Sequence, residues 1–227
     1  MVRIRHGKRY RADLKKVPDE ALPVGQAVRA IKQFNQAKFD QTVELAVWLG
    51  IDPKQADQQI RGAIALPHGI GQSKRVVAFC DPDQAEAALA AGAVAAGADE
   101  LIKKIQDGWT DFDVAVATPA MMRSVSRLGR ILGPVGKMPS PKAGTVTDDV
   151  PATVRDYAGG KFEFRNDEGG NVHAPVGKLS FQENQLVENI EAFMGRMRAM
   201  KPSGSKGTYI KKACISATMS PAIRLQV

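Results

Sequence analysis

The sequence is poor in several residue types, and each shortage excludes a class of protein. Cys80 and Cys214 are the only cysteines, and they lack the spacing of a zinc site or a redox pair. The longest apolar run without charge, Ala87 to Ala98, is far shorter than the roughly 20 residues that a membrane span needs. No apolar signal core follows the basic N-terminus. These absences predict a cytoplasmic protein with reduced thiols, without a metal or cofactor.

Acidic residues are rare or missing in three stretches of the chain. Residues 118–147 and 192–227 contain no Asp or Glu, and residues 1–16 hold seven basic side chains against Asp13 alone. Residues 83–113 carry seven acids instead, although the formal net charge of the chain is +8. Because cationic surfaces release condensed counterions when they neutralise phosphates, this distribution favours a polyanionic partner.

Hydrophobic periodicity indicates α+β structure in the outer parts of the chain and α/β structure in the middle. Apolar residues at helical spacing predict helices near residues 24–36 and 182–200, and alternation predicts strands over 39–47 and 209–219. From Arg75 onward, short apolar strands alternate with Ala-rich helices. This alternation predicts a small parallel sheet with helices on its faces.

Two shorter segments carry turn signals. Residues 161–165 and 172–176 flank the turn Asp167–Gly170, and this arrangement predicts a β-hairpin. Residues 129–147 are rich in Gly, Pro and cations, and they predict a long loop with at most one short helix. Loops of this length in compact domains are usually functional or disordered.

Glycine-rich segments fail the requirements of nucleotide-binding motifs. Gly133–Lys137 resembles a Walker A loop, but Ile131 stands where the motif needs Gly and Met138 where it needs a hydroxyl for magnesium. Gly69–Gly71 lacks the third glycine of a dinucleotide fingerprint and precedes a strand. The three histidines belong to no catalytic or metal-binding motif. The chain is therefore predicted not to be an enzyme.

Two polar segments remain as candidate RNA surfaces. Residues 38–44 place an ammonium, an aromatic ring, a hydroxyl and a carboxylate in one predicted strand, and residues 216–221 end another strand with three hydroxyls and a thioether. Such groups can bind phosphate, pack on ribose and hydrogen-bond to a 2′-OH. By pattern alone, each segment is more typical of a plain strand.

Longer motifs extend over nearly the whole chain. They are Lys38–Glu44 with Leu49–Pro53, Arg61–Gly62 with Leu66–Gly69, Gly129–Pro134 with Met138–Thr145, and Phe164–Asp167 with His173–Lys178. The segment from Leu128 to Val146 is the most distinctive, because its order of Gly, Pro and Lys has no generic structural explanation. Together these motifs resemble the ribosomal protein L-one family of the bacterial type.

The resemblance implies a discontinuous outer domain, residues 1–68 plus 160–227, with the split β-α-β topology of an RNA recognition motif. It also implies an inner Rossmann-like domain, residues 69–159, inserted through a hinge near Gly69 and Gly159. Lys161–Phe164 is only a fragment of the aromatic RNP-1 sequence. RNA is therefore expected at a strand edge and its adjoining turns, rather than on an aromatic sheet face.

The resemblance also implies which residues bind RNA. Ser220 departs from the family, which usually has Gly after Thr-Met, and a Cβ at that position penalises a positive φ. A secondary surface for rRNA or tRNA corresponds to Arg130, Lys137 and Lys142. The main rRNA surface corresponds to Lys38, Phe39, Thr42, Glu44, Ser216, Thr218, Met219 and Ser220, with Arg165, Asp167 and His173 as weaker additions.

By the same resemblance, the chain is a constituent of the large ribosomal subunit that is monomeric when free and has no membrane partner. It would bind stalk rRNA, assist release of deacylated tRNA from the exit site and repress its own operon mRNA. A nucleotide-dependent enzyme on the middle α/β part is the alternative, and saturable micromolar mononucleotide binding would reveal it. A generic duplex-RNA or DNA binder is a third hypothesis, which competition by random RNA would detect.

Overall fold

A computed structural model provides the structure of the chain and describes residues 6–227. The chain separates into two compact units. The first unit comprises residues up to Ile60, Leu66–Gly71 and Phe164–Val227, and the second comprises Arg61–Ala65 and Gln72–Glu163. Both units contain helices and strands, so the mixed α and β composition predicted from the sequence is confirmed.

Helices and strands are numbered separately in chain order. The described helices are α1 (Lys8–Leu14), α2 (Val24–Lys32), α3 (Pro82–Ala90), α4 (Asp99–Gln106), α5 (Met122–Val125), α6 (Gly129–Val135), α7 (Val150–Ala158) and α8 (Glu183–Ala199). The strands are β1 (Thr42–Leu49), β2 (Arg61–Ile64), β3 (Val76–Phe79), β4 (Ala95–Gly97), β5 (Val114–Ala117), β6 (Phe162–Arg165), β7 (Asn171–Lys178), β8 (Ile210–Ala217) and β9 (Ile223–Leu225).

The first unit is built on a four-stranded antiparallel sheet with the order β7-β1-β8-β9. Side chains on β1 alternate, so that Val43, Leu45 and Val47 are fully buried while Glu44 and Trp48 are exposed. Helices α2 and α8 pack together and against the strands on the buried side. One face of the sheet thus forms the core, and we call the opposite side the open face.

A β-bulge shapes the edge of this sheet. Val43 pairs with Gly177 but Glu44 pairs with Pro175, so β7 contains one extra residue at this point. Gly177 has φ +149, and a Cβ there would lie 2.9 Å from Cδ2 of Leu186. The bulge therefore requires glycine, and it brings the next residue of β7 opposite the start of β1.

The second unit contains a three-stranded parallel sheet with the order β4-β3-β5. On one side, Val76 and Ala78 pack with residues of α3 and α7, and on the other, Val77 and Phe79 pack with residues of α4, α5 and α6. Strands β3 and β5 are buried at every position or nearly so. This burial on both faces explains why they are continuously apolar in sequence.

The predicted hairpin is wrong, because β6 and β7 belong to different sheets. Strand β6 pairs with β2, and β7 pairs along most of its length with β1. The two sides of the turn are joined by an isolated bridge between Asn166 and Val172 and by hydrogen bonds between Asp167 and Asn171, rather than by a ladder of β6 with β7. The apolar alternation of both strands was detectable from the sequence, but the pairing was not: β7 is an edge strand whose partner in its sheet is β1, and β6 pairs with β2 instead.

Residues 129–147 are more regular than predicted. They contain helix α6 and, after it, a 3-10 turn at Pro141–Ala143. Gly136, with φ +73, ends the helix in the left-handed conformation, and Gly144 does the same after the 3-10 turn. Helix α6 is the one short helix that the sequence allowed, and the glycines of this segment end α6 and the 3-10 turn.

Candidate nucleic-acid interface

Thr218 follows the last residue of β8 and is joined to the first residue of β1. Its backbone N–H and its hydroxyl both donate to the carbonyl oxygen of Thr42, at 3.0 and 3.2 Å. The same hydroxyl oxygen accepts from the backbone N–H of Thr42 at 3.2 Å. Because the hydroxyl proton is already used, an exposed Thr218 can offer an incoming group only its remaining acceptor lone pair.

The Thr42 hydroxyl can donate a hydrogen bond to an incoming group, whereas that of Thr218 can only accept one. The Thr42 hydroxyl oxygen accepts a hydrogen bond from Nζ of Lys178 at 2.8 Å, which leaves its proton available for donation. Glu44 and Ser216 lie directly opposite one another on β1 and β8, next along the open face. We call Thr42, Glu44, Lys178, Ser216, Thr218 and Met219 the strand-end site.

A tight turn after β8 presents Met219. The backbone N–H of Ser220 donates to the carbonyl of Ala217 at 2.9 Å, and the Ser220 hydroxyl accepts from the Ala217 N–H at 2.9 Å. Met219 has φ +66, and its residue surface is 68% exposed. The positive φ thus falls on Met219 rather than on Ser220, whose Cβ needs no strained backbone and whose hydroxyl closes the turn.

Lys38 and Phe39 lie outside the strand that the sequence pattern predicted for them. Strand β1 begins at Thr42, because the preceding segment is held in a bend by Asp40. That carboxylate accepts from the backbone N–H of Ser180 at 3.2 Å and from its hydroxyl at 2.7 Å. Lys38 is exposed and Phe39 is 54% exposed, so the bend still presents an ammonium group and an aromatic ring just before the strand-end site.

The Asp167 carboxylate is occupied by hydrogen bonds within its own turn. Its Oδ1 accepts from the backbone N–H of Asn171 at 2.7 Å and of Gly169 at 2.9 Å, and both carboxylate oxygens accept from the Asn171 side chain. The hydrogen bonds from Asn171 hold the pKa of Asp167 below its ordinary value. His173 lies on the open face opposite Ala46, with Nε2 3.9 Å from the Asp167 carboxylate, and Arg165 is exposed at the end of β6. Asp167 is thus primarily a turn residue.

The secondary surface lies in the second unit, and its members differ in exposure. Arg130 on α6 and Lys142 in the 3-10 turn are exposed. Lys137 instead donates to the carbonyl of Thr110 at 2.9 Å and lies 5.3 Å from the ring centroid of Phe112. Of the basic N-terminal stretch, Arg3 and Arg5 lie outside the described residues.

The structure gives a further reason to reject a phosphate loop at Gly133–Lys137. A phosphate loop precedes a helix and directs its N–H groups at the anion, whereas these residues form the C-terminal end of α6. Across residues 6–227, there is no group of three or more His, Cys, Asp or Glu residues that could hold a metal ion. No helix in the same range is long and apolar enough to span a bilayer.

Lys178 is the contributor to the strand-end site that sequence reasoning did not single out. It ends β7 within the His173–Lys178 motif, and it reaches the position opposite Thr42 only because of the bulge at Gly177. A plain alternation pattern without the bulge assigns it to the wrong face. Gly177, which interrupts the strand pattern directly before Lys178, was the sequence signal for this bulge.

Comparisons with known proteins agree on one family. The model of the Ribosomal protein L1p/L10e family matches residues 31–221. The chain is 58% identical to the large ribosomal subunit protein uL1 of Rhodopirellula baltica over 218 residues, 96% of this chain and 97% of that protein. It is 50% identical to the uL1 protein of Lactobacillus acidophilus over 97% of this chain and 96% of the relative, and 48% identical to that of Thermus thermophilus over 97% of both. The chain therefore belongs to the Ribosomal protein L1p/L10e family.

Proposed function

We propose that the chain is a structural constituent of the large ribosomal subunit that binds the stalk region of the large-subunit rRNA through the strand-end site. The observation that carries this proposal is the pairing of Thr42 and Thr218. One hydroxyl keeps a proton to donate and the other keeps a lone pair to accept. A ribose 2′-OH is both donor and acceptor, so it can satisfy both threonines at once.

The surroundings of the threonine pair supply the other contacts that RNA needs. Lys178 carries a positive charge beside Thr42, and the exposed side chains of Phe39 and Met219 can pack on a base or sugar. Ser216 and Glu44 add a hydroxyl and an acceptor-only carboxylate on the open face. Lys38, Arg165 and His173 extend this surface as weaker contacts, and Ser220 acts through its turn.

Membership of a ribosomal protein family confirms the prediction that the chain is not an enzyme. Its working location is the cytoplasmic ribosome, as the names of the relatives indicate. The nucleotide-dependent enzyme has no support from these relatives. Gly133–Lys137, the segment that resembles a Walker A loop, lies at the C-terminal end of α6, where no helix N-terminus faces a phosphate.

The proposed domains are an outer one, residues 1–68 plus 160–227, with a topology like that of an RNA recognition motif, and an inner Rossmann-like one, residues 69–159. Support for the outer topology is the four-stranded antiparallel sheet with α2 and α8 on one face. Support for the inner topology is the parallel order β4-β3-β5 with a hydrophobic cluster on each side.

Two further roles form part of the proposal. The exposed Arg130 and Lys142 in the second unit can contact the phosphates of exit-site tRNA or of another rRNA segment, and Lys137 contributes charge nearby. An mRNA that folds like the stalk rRNA would meet the same strand-end site, and this gives a direct route to repression of the chain's own operon. Both roles require only the phosphate and ribose contacts already described.

The decisive experiment measures binding of a labelled stalk rRNA fragment at physiological salt, with excess random RNA as competitor. Phosphate contacts alone give weak, salt-sensitive affinity. We therefore expect the stalk fragment to be retained when random RNA is about a thousandfold in excess, within the usual range of specific over non-specific binding. Loss of the fragment to an equal amount of random RNA would identify a generic binder instead.

A second experiment tests the division of labour between the proposed domains. A variant in which residues 1–68 are joined by a short linker to residues 160–227 should keep most of the affinity for the stalk fragment, because the strand-end site and the basic chain ends all lie in it. Circular dichroism reports whether this variant is folded. A folded variant without specific binding would move the principal site to the inner domain.

A further inference from the structure

The open face of the first sheet continues past the strand-end site to a second cluster of unusual side chains. Trp48 lies on this face near the far end of β1 and is 39% exposed. Lys212 lies directly opposite it on β8. The ammonium groups of Lys211 and Lys212 are 4.7 and 5.7 Å from the centroid of the Trp48 ring. We call these three residues the tryptophan cluster.

The local backbone explains why both lysines reach the same ring. Trp48 pairs with Lys212 but Leu49 pairs with Ile210, so Lys211 is an extra residue in a bulge of β8. In a regular strand the two neighbouring lysines would point to opposite faces. The bulge leaves both lysines exposed. Leu49 is buried on the opposite face, so the core at this end of β1 does not include Trp48.

Most of the charge near the tryptophan cluster is positive, although the Asp167 carboxylate is hydrogen-bonded to Asn171, the residue opposite Trp48 on β7. Residues 201–212 contain four lysines and no acidic residue. The loop before β8 is fastened to this end of the sheet, since the Ser205 hydroxyl donates to the carbonyl of Gly50 at 2.9 Å and the Gly50 N–H donates to that of Tyr209 at 2.6 Å. Arg224 adds a further cation opposite Cys214 on the same sheet. A polyanion fits this surface, and the aromatic ring selects among polyanions.

We infer that the tryptophan cluster is a second RNA contact, which stacks an unpaired base on Trp48 and binds the adjoining phosphates with Lys211 and Lys212. An exposed ring flanked by cations on an open sheet is the arrangement that binds single strands by stacking. An acidic protein segment would use the lysines but has no base to place on the ring. The inference rests on the proposed rRNA-binding function and extends its surface.

One RNA molecule can reach both contacts. Trp48 lies six residues beyond Thr42 on β1, which at about 3.3 Å per residue separates the two by roughly 20 Å. A single strand crossing the open face from the strand-end site therefore passes over Glu44 and Ala46 before it meets the ring. This path extends the proposed RNA surface beyond the strand edge and its adjoining turns.

The test uses fluorescence from Trp48 in the full chain. The sequence has two tryptophans, so the Trp109→Phe variant leaves Trp48 as the only reporter. Titration with the stalk rRNA fragment is followed by tryptophan emission and, separately, by the anisotropy of labelled RNA. We expect Trp48 emission to be quenched with the same midpoint as the anisotropy change, and short oligouridylate to quench it at low salt.

Matched variants separate stacking from charge. Trp48→Leu should weaken binding of the stalk fragment by roughly fivefold or more, as loss of one base stack does, while Trp48→Phe keeps most of it. Lys211→Gln with Lys212→Gln should lower the salt slope by roughly one to two. Melting curves confirm that these exposed substitutions leave the fold intact.

The alternative outcomes are distinct. If the fragment binds while Trp48 emission stays constant and Trp48→Leu binds like the parent, the inference is wrong and the proposed function stands. If the stalk fragment fails to bind but oligouridylate still quenches Trp48, the proposed function is wrong and the second contact survives. Quenching by oligoglutamate and not by either RNA would assign the cluster to an acidic protein partner and overturn the inference.

Discussion

The strand-end site and the basic segment, residues 127–142, are the two proposed RNA surfaces, but they hold their polar groups in different ways. Thr42 and Thr218 are fixed to each other through their backbones and hydroxyls, and Lys178 is fixed to Thr42. In the basic segment, Arg130 and Lys142 are exposed on short helical turns. The first region controls the direction of each donor and acceptor, and the second supplies mainly charge.

This difference indicates how one chain can use separate regions for specific recognition and for electrostatic attraction of phosphates. Thr218 has a committed hydroxyl proton and can accept only from a donor, whereas Thr42 can still donate, so on the proposed function the pair would distinguish ribose from deoxyribose. An exposed ammonium or guanidinium attracts any phosphate, and its contribution falls as salt rises. Substitutions in the first region should therefore change which nucleic acid is bound, while substitutions in the second should change how strongly salt matters.

The largest effect is expected for Thr218→Val. This change removes the lone pair that accepts from the 2′-OH, and it leaves a polar group without a partner, at a cost of about 1–3 kcal/mol. Binding of the stalk fragment should weaken roughly 5- to 150-fold, while binding of its deoxy counterpart should already be weak in the parent chain. Fluorescence anisotropy of both fragments provides the measurement.

Thr218→Ser is the matched control for that change, because it keeps the hydroxyl and loses only a methyl group. Its affinity for the stalk fragment should stay close to that of the parent. The hydroxyl also bonds to Thr42 within the protein, so the melting temperature must be compared. Equal affinity of the parent for RNA and deoxy fragments would refute ribose recognition at this site.

A smaller effect is expected for Met219→Gly. The side chain is exposed and its packing on a sugar or base is worth about 0.3–1.5 kcal/mol, so affinity should fall roughly 2- to 12-fold. The left-handed backbone at this position is strained for methionine and natural for glycine. Stability should therefore be unchanged or rise by up to about 1 kcal/mol, as measured by urea unfolding. A clear loss of stability would show that the strain is absent.

Charge changes in the basic segment should alter affinity less. Replacing Lys137 and Lys142 by Gln should lower the salt slope of rRNA binding by at most about two, because each lysine neutralises at most one phosphate. Lys142→Gln alone is the control that tests charge by itself, because Lys137 also donates a hydrogen bond to the carbonyl of Thr110 within the unit. If charge reversal at both positions abolished binding of the stalk fragment as fully as Thr218→Val, the proposed separation of roles would be wrong.

The smallest effect is a dependence of stability on pH at Asp167. Hydrogen bonds from Asn171 hold the pKa of this carboxyl below its ordinary value of 3.8. A depressed pKa in the folded chain contributes stability above the unfolded pKa, and that contribution is lost as the pH falls through the folded pKa. The melting temperature of Asp167→Asn should therefore fall slightly less than that of the parent chain as the pH decreases from about 4 to 2. Parallel curves would show that the turn bonds are energetically neutral.

The sequence by itself determined the types of most elements and the buried face of β1. The alternation of Val43, Leu45 and Val47 predicts one apolar face, and the structure buries all three. The continuous apolar runs of β3 and β5 predicted a parallel sheet covered on both sides, and that arrangement is observed. Local patterns suffice here because burial of a face requires a fixed period of hydrophobic residues.

Only the tertiary structure decided how distant residues combine. The bonds between Thr42 and Thr218 join positions 176 residues apart, and the position of Lys178 depends on a bulge that no periodic pattern reveals. The surroundings of Trp48 were also decided by the tertiary structure, because a second bulge places two lysines beside its ring. Strand pairing and bulges are set by the free energy of the whole sheet, so the geometry of both proposed RNA contacts was decided by long-range packing.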